Sequence, residues 1–177
     1  MSMRQFLSGL VGFLIMATSA MADGAVELRW ADLIPEGFNA TSLTEELDLD
    51  QYNLASLSDD DPEAQRLYND MVQLFANAPV VDQYDGTVVR IPGFVVPLEL
   101  DEDRVLSFLL VPYFGACIHT PPPPSNQIVY VETDGQFRAP ALDDPVYVTG
   151  RLRVEHQDSD LGSAGYTIQA ANLESFL

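Results

Sequence analysis

The apolar positions follow two different periods along this chain. From about Asp23 to Pro79 they recur at helical spacing. In "DDDPEAQRLYNDMVQLFANAP", Ala64, Leu67, Met71, Leu74 and Phe75 form one stripe. An aspartate can cap such a helix, Pro62 fits its first turn, Glu63 suits its positive end and Pro79 stops it. The stripe predicts a packing face. Upstream, "LRWADLIPEGF" carries Trp30, Leu33, Ile34 and Phe38, an apolar clamp expected to dock on the body of the protein. Trp30 belongs to that packing rather than to ligand stacking.

Beyond residue 80 the period changes to that of β-structure. "TVVRIPGFVVPLEL" is rich in β-formers but broken by Pro92, Gly93 and Pro97, as a bent or bulged strand is. "VLSFLLVPYF" is a continuous apolar run, the pattern of a strand buried on both faces. "QIVYVET" and "YTIQAANLESF" supply two more strands. "PVYVTGRLRVE" alternates: Val146, Val148, Gly150, Leu152 and Val154 share one face, and Tyr147, Thr149, Arg151 and Arg153 the other. "DSDLGSAG" reads as a loop. Five strands, two with a glycine at a strong bend, predict a mainly β domain with a helical N-terminal region. A small five-stranded barrel of the oligonucleotide/oligosaccharide-binding (OB) type fits best, with a β-sandwich as the alternative.

The first residues are of a third kind. Arg4 precedes the apolar stretch "FLSGLVGFLIMA", and "AMA" at Ala20 to Ala22 is a small-x-small cleavage site. The expected organisation is a signal peptide over 1–22, a docking segment and helix over 23–79, and a β-barrel domain over 80–177. The expected location is the periplasm, with no membrane insertion of the mature chain. The formal net charge is −19 and lysine is absent. Such a surface repels phosphate backbones and anionic headgroups, which argues against nucleic-acid partners.

Candidate chemistry gathers in "GACIHTPPPPSNQ". It holds the only cysteine, Cys117, with His119 two residues on, then Pro121, Pro122, Pro123 and Pro124. In an extended chain, residues two apart project from the same face, so sulfur and imidazole could converge. The prolines favour polyproline II at about 3.1 Å per residue, a stiff brace that donates no backbone hydrogen bonds. Asn126 and Gln127 are placed to supply donors to the loop. Three readings stay open. Cys117 is packing, or Cys117 and His119 bind zinc or copper with His156, Glu99, Glu132 or Glu155 completing the site, or the thiol is redox-active. With no other cysteine in the chain, an internal disulfide is excluded. Paired hydrolase carboxylates, a phosphate loop and a nucleophile elbow are all missing from the sequence, so the expectation leans away from an enzyme.

Several blocks resemble one family. "WADLIP", "VRIPGFVVPLE", "FLLVPYFGACIHTPPPPSNQIVYV", "VYVTGRLRVE" and "LGSAGYTIQA" are similar to those of the bacterial domain-of-unknown-function family 3299. The resemblance implies export. Through members linked with zinc-supply transporters it also implies metal homeostasis, and it marks Cys117, His119, Pro121 to Pro124, Asn126 and Gln127 as motif positions. The leading expectation is a periplasmic zinc-binding accessory protein working at Cys117, His119 and His156, with an ABC-type transporter or another periplasmic or inner-membrane protein as partner. The alternative is an interaction module without chemistry, using Tyr113, Phe114 and the polyproline loop through Gln127. A thiol-dependent redox protein is third.

Overall fold

The computed structural model describes residues 24–45, 47, 49, 57–58, 60–118 and 121–176. The proposed signal peptide and His119 lie outside the described residues. In chain order the elements are β1 (Val26–Glu27), α1 (Ala40–Glu45), α2 (Pro62–Ala76), β2 (Val88–Asp101), β3 (Arg104–Val111), β4 (Val129–Glu132), β5 (Val146–Arg153), β6 (Gln157–Ser159), β7 (Gly162–Ala164) and β8 (Tyr166–Ser175).

The long, interrupted β2 closes the barrel. Its first half pairs antiparallel with β5, Val88 opposite Arg151 through Gly93 opposite Val146. Its second half pairs antiparallel with β3, beginning at Phe94 opposite Val111. The handover falls at Pro92–Gly93, where the sequence breaks. A Cβ on Gly93 would lie 2.8 Å from both Leu110 Cγ and the Val111 carbonyl, so this corner accommodates no side chain. The order β2–β3–β4–β8–β5 returns to β2, and β4 and β8 run parallel. The protein is therefore a small OB-like five-stranded barrel, and the β2–β5 closure sets the sandwich aside. Gly150 sits opposite a bulge in β8, where Thr149 pairs with Asn172 and Gly150 with Ala170, and a Cβ on it would collide with the Gln169 carbonyl and Ile168.

Alternation along β5 and β8 fills the barrel with Val146, Val148, Leu152, Tyr166 and Ile168 around Phe108, Ile91 and Leu110. The N-terminal clamp seals it. Leu28 and Leu33 enter the same core, and Trp30 packs on it while its indole Nε1 donates to the Pro92 carbonyl at 2.7 Å. Buried Tyr166 OH donates to the Leu33 carbonyl (2.9 Å) and accepts from Val81 N (2.6 Å), fastening two N-terminal stretches with one side chain. Helix α2 begins as read: the Asp61 side chain accepts from Glu63 N at 2.9 Å, with Pro62 in the first turn. Its stripe is less buried than its periodicity predicts, since no α2 residue is fully buried. Among the described residues no helix is long and apolar enough to cross a membrane.

Candidate functional site

Strand β3 explains where the cysteine lies. Phe108 and Leu110 face the barrel interior, whereas Leu109 and Val111 face outward into a second cluster. That cluster holds Val96, Ala116, Cys117, Ile128 and Ala164. The run in β3 is continuously apolar because the chain that follows folds back over its outer face.

The fold-back is tight. Ala116 N donates to the Tyr113 carbonyl (3.5 Å) and Ile118 N to the Gly115 carbonyl (3.3 Å). Gly115 has φ +85° and Cys117 φ +64°. Cys117 is therefore not extended, as the expected alternation from it had assumed. Left-handed geometry costs a non-glycine residue roughly 1 kcal/mol, offset here by the packing of the side chain. Cys117 is only 9% exposed, and burial pushes its thiol up from 9.0 to about 11. At neutral pH it stays protonated, the wrong form for a nucleophile.

The hairpin β6–β7 closes over this loop. A Cβ on Gly162 would meet Pro122 Cβ at 3.1 Å, Ile128 Cδ1 at 3.2 Å and Cys117 Sγ at 3.6 Å, so the close approach suits glycine. Residues 158–165, expected as a plain loop, thus carry most of a hairpin turning at Asp160–Leu161. A groove of about 750 Å³ runs between α2, Pro121–Pro123 and the hairpin, with Cys117, Ile118 and His156 among its walls. The structure thus brings Cys117 and His156 to one groove. His156 is exposed, and its Nε2 lies 3.0 Å from Asp158 Oδ1. Ser163 Oγ donates to the same oxygen at 2.6 Å, and these two contacts, the serine first, hold the Asp158 carboxyl below its usual range.

The other proposed ligands lie elsewhere. Glu99 and Glu132 flank Ser107 across β2, β3 and β4, and Glu155 accepts from Thr167 Oγ1 at 3.5 Å. Among the described residues no three of His, Cys, Asp and Glu gather as a metal site. Cys117 itself sits among aliphatic neighbours, and His119, its proposed co-ligand, lies outside the described residues.

The interaction loop needs a parallel correction. Pro121 is exposed, but Pro123, Pro124 and Asn126 are buried and Gln127 is half-buried. Asn126 Nδ2 donates to the Pro79 carbonyl (2.8 Å), Ser125 Oγ to Ala78 (3.3 Å) and Gln127 Nε2 to Trp30 (3.1 Å). Ser125 and Asn126 thus serve the N-terminal segment, while Gln127 Nε2 divides between Trp30 and, within the loop, the Asn126 carbonyl at 2.9 Å. What the loop displays is Tyr113 (46% exposed), Phe114 (52%) and Ile118 (45%), with Phe114 tilted against Phe94 at 6.2 Å between ring centroids. Ile118 was missed by sequence reasoning. Its exposure follows from the turn and carries no local signature.

The sequence profile of the family described as "Protein of unknown function (DUF3299)" matches residues 30–175. A crystallised DUF3299 family protein from Pseudomonas aeruginosa is 38% identical, covering 86% of this chain and 97% of its own, with a TM-score of 0.64. A small single-stranded DNA-binding protein from Streptomyces coelicolor aligns at 22% identity over 52% of this chain and 95% of its own; its TM-score of 0.35 supports no argument. No protein of curated function matches the chain. On the extent of the profile match and the identity to the Pseudomonas protein, this chain belongs to the DUF3299 family.

Proposed function

We propose that the protein is an exported binding module that engages a partner protein through the tip formed by Tyr113, Phe114 and Ile118. One observation carries the reading: a tight turn with a buried base, Gly115 to Cys117, holds three large apolar side chains about half in solvent. Each leaves on the order of 1 kcal/mol of burial unrealised, and clustered exposure of this kind marks interaction surfaces. The base of the tip, Gly115 to Cys117, is buried, so little ordering entropy is lost there on docking. The partner is an exported or inner-membrane protein with an apolar pocket. In this reading Cys117 is packing that supports the tip.

The test is photocrosslinking in the producing cell with a photoreactive phenylalanine at position 113 or 118, and at exposed Leu142 as control. A discrete protein adduct should form from the two tip positions, be absent from position 142, and survive Cys117→Ala. Adducts that are the same from all three positions, or none, would remove the reading.

A further inference from the structure

A second hollow lies on the outer face of the barrel and owes its lining to a bulge. In β2, Pro97 opposes Phe108 and Glu99 opposes Ser107, leaving Leu98 as an extra residue. In a regular strand, neighbours point to opposite faces. Here Pro97, Leu98 and Glu99 all line the same hollow of about 670 Å³, together with Ser107, Tyr130 and the hairpin residues Gln157 to Leu161. Bulges commonly re-aim side chains in this way beside functional sites.

Two features of the hollow call for a ligand. Ser107 is 6% exposed and lines it, yet its hydroxyl has no hydrogen-bond partner among the described residues. The hydroxyl keeps some access to solvent, since among the described residues the fully buried side-chain polar atom without a partner is Asn126 Oδ1, and a ligand donor or acceptor in the hollow can pair with it. The charge is one-sided: Glu99, Asp158 and Asp160 line the hollow and no basic side chain does. Asp158 is engaged by His156 and Ser163, but Glu99 and Asp160 form no ion pair among the described residues. The carboxylates do not converge as a metal cage. Leu98, Tyr130 and Leu161 offer instead the apolar surface and ring face that suit the stem and head of a lysine or arginine. Finally, β6 borders the hollow and, among the described residues, pairs with β7 on one side only. Its other edge can accept an extended chain.

We propose that this hollow binds an extended polypeptide segment of a partner protein that carries cationic side chains, with Ser107 and Glu99 receiving the cation and β6 the backbone. The site stands apart from the loop tip: none of Tyr113, Phe114 and Ile118 lines it. The tip variants and the variants below therefore fail or succeed separately.

The probe is a fluorescein-labelled, end-blocked hexapeptide of alternating lysine and leucine, titrated into the purified protein and read by anisotropy. It should bind, weaken with salt, and have no glutamate–leucine equivalent. Joint Glu99→Gln and Asp160→Asn substitution should weaken it about fivefold. Joint Asp143→Asn and Asp144→Asn substitution, outside the hollow but equal in charge, should leave it unchanged. Ser107→Ala should weaken it about tenfold, the loss expected when a hydrogen bond to a charged group disappears. If Ser107→Ala fails to fold, Leu161→Ser at the hairpin tip reads the same hollow and should weaken binding about threefold. Equal loss in the two charge-matched variants would reduce the effect to diffuse attraction and overturn the proposal. Absence of binding would overturn it as well, as would displacement of the peptide by spermidine or calcium at matched concentration.

Discussion

The two faces of β3 make an instructive pair. Inward, Phe108 and Leu110 join a core that runs from Leu28 to Ala170 and is closed at its end by hydrogen-bonded clamps. Outward, Leu109 and Val111 join a small cluster roofed by one loop and one hairpin. The same apolar run supplies both, but only the outer one borders both hollows and the exposed tip. The inner face builds the barrel, and the outer face is the one on which both proposals place a partner. The comparison therefore predicts that damage will be graded from inside to outside in stability, and in the reverse order in binding.

The largest effect is expected from Phe108→Ala, which empties a fully buried ring site in the inner core. It should cost about 4 kcal/mol in denaturant unfolding. A cost under about 1.5 kcal/mol would show that the inner core is not the dominant one. Next comes the clamp. Asn126→Ala removes the donor to the Pro79 carbonyl, a part-buried hydrogen bond, and should cost about 1 kcal/mol. Calorimetry showing no loss would mean that the N-terminal segment does not depend on this contact.

Cys117 is a smaller case with a distinctive pH signature. Its folded pKa, about 11, lies above the ordinary 9.0, because burial disfavours the thiolate. The unfolded chain therefore loses this proton first as pH rises, so the contribution is fully present below pH 9 and is lost towards pH 11. The stability difference between the parent and Cys117→Ala should shrink across that window and stay flat below it. A difference that grows with pH would place the thiolate, not the thiol, in the folded protein. Alkylation should also be slow at neutral pH, in contrast to the fast reaction of an activated cysteine.

The barrel was legible because its signals are local or periodic. Val146 to Leu152 alternate along one strand, Pro92 and Gly93 mark the corner of β2, and Asp61–Pro62 start α2. The candidate site was legible only as a location. Its geometry depends on a left-handed Cys117, on which carbonyls the Asn126 and Gln127 side chains reach, and on a glycine at 162 set by the approach of Pro122 and Ile128. None of these has a sequence period. The hairpin was missed because its two three-residue strands are short and polar, with no apolar alternation to announce them. Ser107 did leave a trace, as the lone polar residue within "VLSFLLV". Its meaning appears only with the bulge at Leu98, a matter of long-range register.

The smallest expected effect on stability separates packing from display most cleanly. Tyr113 and Leu109 are both large and four residues apart, yet Leu109 is fully buried and Tyr113 is half in solvent. Leu109→Ala should cost about 3 kcal/mol and, by loosening the outer cluster, weaken whatever the tip holds. Tyr113→Ser should change stability by no more than about 0.5 kcal/mol, because an exposed side chain away from caps and networks adds little to folding. If the tip works by docking, Tyr113→Ser nonetheless abolishes the crosslinked adduct formed from position 118 while leaving the melting curve in place. A variant that loses stability and adduct together would mark Tyr113 as part of the cluster beneath it, and the division between building face and meeting face would have to be drawn further out, at Phe114.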